Sequence, residues 1–114
     1  MKVVRNLKYR TLFSGLGVAS VTPFKSDFSV DELAIQNICN YFIKSKVSFV
    51  VVQGTTGESS TISENEKEFV NDFFIKNLYS KIPLVLGIGS NNTNEIISKL
   101  KSVDLSHFDA IMSV

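Results

Sequence analysis

Short apolar runs punctuate this chain at intervals of about 30 residues, and amphipathic stretches fill the gaps between them. The runs are Leu16 to Val21, Phe49 to Val52, Pro83 to Leu86, and Asp109 to Val114. A run this short, bounded by turn residues, reads as a strand. A strand that is apolar at successive positions, rather than alternating, is buried on both faces. That requirement excludes most all-β and all-α arrangements and calls for a parallel sheet covered by helices.

The intervening stretches have helical spacing. Ser29, with Glu32 three residues on, forms a capping box for the first helix. Its apolar face is Leu33, Ile35, Ile38, Cys39, Phe42 and Ile43. Ser63 and Glu66 repeat the box for a second helix, whose face is Phe69, Val70, Phe73, Phe74 and Leu78. Thr93 to Leu100 predicts a third helix, with Ile96, Ile97 and Leu100 inward, after a turn at Gly87 to Asn92. The order is therefore βαβαβαβ, an α/β chain. A doubly wound open sheet and a barrel both suit it. Periodicity does not choose between them.

Composition narrows the partners. Twelve Lys and Arg against eleven Asp and Glu leave a net charge of +1, so charge gives no footing for nucleic acid or an anionic membrane. No stretch approaches the ~20 apolar residues of a membrane span. Lys2, Arg5, Lys8 and Arg10 ahead of an apolar stretch loosely imitate a signal peptide, but that stretch runs straight into Thr22-Pro23. It reads as a strand. Cys39 is the only cysteine, which excludes an internal disulfide and a cysteine-rich zinc site and suits a reducing, cytoplasmic compartment.

Chemistry concentrates in Gly54-Thr55-Thr56-Gly57-Glu58-Ser59. This segment puts two hydroxyls and a carboxylate in a helix-opening turn directly after a buried strand. Ligands bind at the carboxyl ends of strands in barrels and in open α/β sheets. Glycine-rich turns present backbone amides to anions such as carboxylates. Threonine hydroxyls can donate to a carboxylate or relay a proton. The same residues also fit a plain βα turn with polar capping, and the physics leaves both readings open. It is no phosphate-binding loop of the Walker type, since no lysine follows the glycine at the required place. Glu58, with no Lys or His partner in sequence reach, reads as helix-opening. Gly87-Ile-Gly-Ser-Asn-Asn92 is only superficially like a dinucleotide turn. His107, the lone histidine, reads as a solvated loop residue rather than a metal ligand.

The series Gly17-Val-Ala-Ser-Val-Thr-Pro-Phe24, Asp27, Ser29-Val-Asp31, Gly54 to Ser59, Glu66, Pro83 to Gly89 and Asn91-Asn-Thr-Asn-Glu95 resembles the dihydrodipicolinate synthase / N-acetylneuraminate lyase family in kind, order and spacing. The resemblance runs from Leu16 to Val114. It implies the first four βα units of a (β/α)8 barrel. Such a barrel needs about 230–290 residues, so residues 1–114 would be the N-terminal half of a single catalytic domain, incomplete and with two strand edges open.

The chemistry it implies is a class I aldolase-type lyase without metal or organic cofactor. Pyruvate forms a Schiff base with a lysine, and its enamine attacks an aldehyde, aspartate semialdehyde in the synthase branch, on the way to lysine. By position Thr55 is similar to the hydroxyl in the family's proton relay, and Thr56 to the residue holding the pyruvate carboxylate. Gly54 and Ser59 flank them as weaker binding candidates. Sialic acid lyases tend to carry serine at the position of Thr55, which favours the synthase branch. A sugar-acid lyase and a non-catalytic remnant are the alternatives.

The family's Schiff-base lysine lies on the sixth strand and its relay tyrosines beyond the fourth, so this chain lacks them. None of its ten lysines falls in a predicted strand. The resemblance further implies a homotetramer for the full-length relative. In some members residues matching Asn91 and Glu95 line a lysine-feedback pocket, but Glu64 stands where those members often have histidine.

Overall fold

The computed structural model of the chain describes residues 11–114, so Lys2, Arg5, Lys8 and Arg10 lie outside the described residues. Four strands, β1 (Gly17–Ala19), β2 (Phe49–Val52), β3 (Leu84–Ile88) and β4 (Ala110–Ser113), form one sheet in sequence order. Every neighbouring pair is parallel. Three helices make the crossovers: α1 (Glu32–Lys44), α2 (Glu64–Leu78) and α3 (Thr93–Ser102). This is the α/β order that the apolar runs predict.

The register explains which side chains meet the helices. Val18, Val50 and Leu84 stand side by side, and so do Val52, Leu86 and Ile111. Side chains alternate between faces along a strand, so these rows share one face. There Val50, Val52, Leu84, Leu86 and Ile88 pack with Ile35, Cys39 and Phe42 of α1 and Val70, Phe74 and Leu78 of α2. The opposite face carries Ala19, Val51, Val85, Gly87 and Met112.

Burial on both faces holds for β3 throughout and for β2 from Val50 onward. It does not hold for β1 and β4, where Gly17, Ala19, Ile111 and Met112 are exposed. Among the described residues each of these strands pairs with one neighbour, and Ile111 is 41% exposed.

Boundaries moved for local reasons. Ser29 does not cap α1: it lies in a bend just before the antiparallel bridge between Phe24 and Val30, with its carbonyl accepting from the Lys25 amide at 2.8 Å. Its amide and hydroxyl both donate to Asp27 Oδ1 instead, at 3.0 and 2.6 Å. Asp31 is the cap, accepting from the Ala34 amide at 3.0 Å. The second capping box forms as predicted, with Glu66 N donating to Ser63 Oγ and Ser63 N donating to Glu66 Oε2. β3 runs on through Gly87 and Ile88, which sequence spacing assigns to a turn. Of the residues placed inward on the helices, Leu33, Ile43, Phe69 and Ile97 are exposed. An apolar stripe on a surface helix is wider than the strip the sheet can cover.

Two of these placements are measurable. Phe74 is 1% exposed and Phe69 is 39% exposed, although both belong to one apolar helix face. Phe74→Ala is expected to lower unfolding free energy by about 3–5 kcal/mol, and Phe69→Ala by about 1 kcal/mol or less, in urea titration. Cys39 is fully buried, and desolvation pushes its thiol up to about 12, against a small lowering from Lys81. At pH 9 its alkylation should be on the order of hundreds of times slower in the folded chain than in urea. The unfolded thiol ionises first, so this contribution to stability is intact below about pH 9 and falls as pH rises toward 12. Alkylation at equal rates in both states would contradict this placement.

Candidate functional site

The segment singled out by its hydroxyls emerges at the carboxyl end of β2, between the ends of β1 and β3. It does not open α2 directly. Thr55–Gly57 winds into a single 3-10 turn, with Gly54 as its N-cap. Glu58 closes the turn in the left-handed region, φ 54°, and α2 begins only at Glu64 after the Ser63 cap. Glu58 is therefore a turn-ending residue rather than a helix-opening one. Its carbonyl accepts from both the amide and the hydroxyl of Thr61.

Thr55 and Thr56 are exposed, whereas Gly54 and Gly57 on either side are buried. Among the described residues neither threonine hydroxyl has a hydrogen-bond partner. Two free hydroxyls thus stand on a backbone that is internally bonded, Gly57 N to Gly54 O and Glu58 N to Thr55 O, both 3.0 Å. The first residues of such a turn also leave their amides without an intrahelical acceptor. Hydroxyl and amide donors together suit a small carboxylate. Ser59 is half-buried and faces elsewhere, into a cavity between α2 and α3.

Three contacts pin this loop. Thr22, buried at the end of β1, donates its hydroxyl to the Gly57 carbonyl at 2.7 Å. Gln53 adopts φ 59° and donates Nε2 to Lys67 O at 3.1 Å and to Asn71 Oδ1 at 3.3 Å, tying the loop's start to α2. Gly87 of β3 lets the Gln53–Gly54 peptide approach, since a Cβ there would sit 2.7 Å from Gln53 O. Sequence reasoning marked neither Thr22 nor Gln53 as a site residue. The signal available was a polar residue closing an otherwise apolar run in each case.

The α2–α3 cavity has a volume of about 1090 Å³ and reaches from Gln53, Glu64 and Glu95 to His107. Lys67 bonds Glu64 at 2.7 Å, and Lys99 lies 3.9 Å from Glu64 and 3.0 Å from Glu95. Glu64 is held below the usual carboxylate range chiefly by the Lys67 hydrogen bond, and Glu95 chiefly by the Ser90 hydroxyl at 2.7 Å. Asn91 is exposed at the loop. His107 is half-buried rather than solvated, edge-on to Tyr79 with ring centroids 4.9 Å apart. Its Nδ1 lies 3.0 Å from Ser106 Oγ. Of the ten lysines eight are described, in helices, loops and turns, and none of these is in a strand. Among the described residues no group of three His, Cys, Asp or Glu is placed to hold a metal, and no helix is long and apolar enough to cross a membrane.

Comparison with known proteins places this geometry. The sequence profile of the dihydrodipicolinate synthetase family matches residues 12–114. A 4-hydroxy-tetrahydrodipicolinate synthase of Flavobacterium psychrophilum is 51% identical over 102 residues, covering 90% of this chain and 35% of that protein. The synthase of Parabacteroides distasonis is 40% identical over 100 residues, 88% of this chain and 34% of the relative. The chain thus spans about a third of the length of the curated relatives it matches. Among solved structures, dihydrodipicolinate synthase from Aquifex aeolicus superposes with a TM-score of 0.79 at 32% identity, over 89% of this chain and 34% of the other. An N-acetylneuraminate lyase from Mycoplasma synoviae superposes with a TM-score of 0.78 at 29% identity, over 90% of this chain and 36% of the other. The four strands and three crossover helices are therefore those of a (β/α)8 barrel.

The loop's two glycines make a contrast. Gly54 has φ −73° and room for a methyl, the nearest side-chain atoms being 3.7 Å or more from a built Cβ. Gly54→Ala should cost less than about 1 kcal/mol. Gly87→Ala drives a methyl into backbone atoms of residues 53 and 54 and should cost about 2–3 kcal/mol. Urea midpoints at constant slope would check both, and equal midpoints would show that the loop gives way freely.

Proposed function

From its membership of the dihydrodipicolinate synthetase family, to which this chain belongs, we propose that residues 1–114 are the N-terminal half of one barrel domain of a pyruvate-dependent lyase. The reaction is the aldol-type condensation of pyruvate with aspartate semialdehyde in the biosynthesis of lysine, in the cytoplasm. The observation that carries this reading is the placement of Thr55 and Thr56. Both hydroxyls are exposed and unengaged among the described residues, on a pinned turn at the carboxyl end of β2.

The chemistry divides between what this chain supplies and what it does not. Pyruvate's ketone condenses with a lysine ε-amine and loses water to give the Schiff base. Loss of a methyl proton gives the enamine, whose carbon attacks the aldehyde. Thr56, with the turn's amides, holds the pyruvate carboxylate so that the ketone meets the amine. Thr55 passes protons between groups brought by the rest of the barrel, which is where a hydroxyl serves best, being too weak an acid or base to act alone. No organic cofactor or metal enters this scheme.

The amine must come from elsewhere in the barrel. A Schiff-base lysine has to be desolvated so that its amine is neutral, and none of the eight described lysines lies in a strand. The chain alone is a non-catalytic part of that site. A sialic acid or sugar-acid lyase is the second reading, supported by the likeness to the Mycoplasma synoviae enzyme. Thr55, where that branch tends to carry serine, favours the synthase.

Borohydride trapping with pyruvate, followed by intact mass measurement, should give no stoichiometric adduct on the 114-residue chain. An adduct would put the reactive amine among its own lysines. In the complete barrel carrying this segment, Thr55→Val should lower kcat by about 10²-fold or more, while Thr56→Val should act mainly on the KM for pyruvate. An unchanged kcat in Thr55→Val would reduce the loop to a structural turn.

A further inference from the structure

The turn that carries Thr55 and Thr56 is gripped at both ends by buried side chains lying outside it. We propose that Thr22 and Gln53 are positioning residues that set where the two hydroxyls stand. The inference deepens the proposed function, on which the identity of the bound carboxylate rests.

At the far end of the turn, Thr22 is 4% exposed and donates Oγ1 to the Gly57 carbonyl at 2.7 Å, across 35 positions of chain. Gly57 backs directly onto the end of β1, since a Cβ there would meet Ser20 O at 3.2 Å and Thr22 Oγ1 at 3.4 Å. Ser20 N in turn donates to Val51 O at 2.9 Å, so β1 and β2 are locked together just below the turn. The grip is thus referred to the rigid sheet.

At the near end, Gln53 is 5% exposed with φ 59°. Glycine would take this conformation without strain. A side chain is useful there only if it does something, and the Gln53 amide does. Its Nε2 donates to Lys67 O and Asn71 Oδ1 in the middle of α2. Asn71 is itself 9% exposed, so the link is buried. Gln53 Oε1, also buried, has no donor among the described residues, so the tether runs entirely through the amide nitrogen.

Only Gly54, Thr55 and Thr56 separate these two anchors. With no partner of their own among the described residues, the threonine hydroxyls are placed by the backbone and by the few χ1 positions open to a β-branched side chain. Where the backbone is held, they are held. Displacements of about 1 Å in such donors are enough to degrade productive binding.

Hydrogen exchange of the full chain tests the clamp without reference to activity. The amides of Gly57, Glu58 and Thr61 report the turn, and those of β2 and β3 report the fold. Thr22→Val removes the hydroxyl at constant shape and should speed exchange in the turn about fivefold, the worth of one hydrogen bond, with β2 and β3 unchanged. Thr22→Ser should restore it. Gln53→Met should speed the turn similarly, and it carries the test if the valine variant fails to fold. Turn exchange at the wild-type rate in both Thr22→Val and Gln53→Met would overturn the proposal.

A pyruvate titration of the same amides separates the two ideas. Pyruvate should slow turn exchange in the wild type and require about fivefold more ligand in Thr22→Val but not in Thr22→Ser. If the valine variant loosens the turn yet pyruvate protects it in neither protein, the clamp stands and the carboxylate reading fails.

Discussion

The rest of the structure is organised around β3 and the part of β2 from Val50 onward, which are buried on both faces. Their backbone groups satisfy one another and their neighbours in a parallel ladder, and their side chains fill the space against α1 and α2. A backbone polar group buried without a partner costs as much as a lost hydrogen bond, so strands this deep tolerate no slippage. The rigidity is local. It weakens toward β1 and β4, where apolar side chains reach solvent. The threonine turn projects from β2, one of the two most deeply buried strands, and inherits its position from it.

How much of this was legible beforehand follows from what each signal measures. Apolar runs report burial, and they located all four strands in the right order. They could not report edges, because Ile111 is as apolar as Val50 yet sits in a strand with one neighbour among the described residues. Capping residues report local hydrogen bonding. Ser63 was read correctly because its partner Glu66 lies within one turn. Ser29 carries the same local signature, but its amide and hydroxyl are engaged by Asp27 in the loop closed by the Phe24–Val30 bridge.

The site shows the same division. Two adjacent hydroxyls after a buried strand stand out in the sequence, and the roles proposed for them come from the family resemblance rather than from the residues themselves. Thr22 and Gln53 did not, because their importance lies in contacts 35 and 14–18 positions away. Gly87 was read as part of a turn when its work is to be absent from the space that the Gln53–Gly54 peptide occupies. Nothing in its own neighbourhood discloses that.

That absence ties together two positions that never exchange a side-chain contact. A methyl at position 87 is tolerable only if the peptide at 53–54 withdraws, and that peptide is fixed by an amide reaching into α2. A lineage carrying this arrangement therefore meets the cost of the clash if residue 87 changes first, and escapes it if the 53–54 peptide has already withdrawn. The order of steps matters, because one order passes through the clash and the other does not. Epistasis of this kind is geometric: it arises from one shared volume, and it makes the second βα loop and the third strand a single unit of sequence drift.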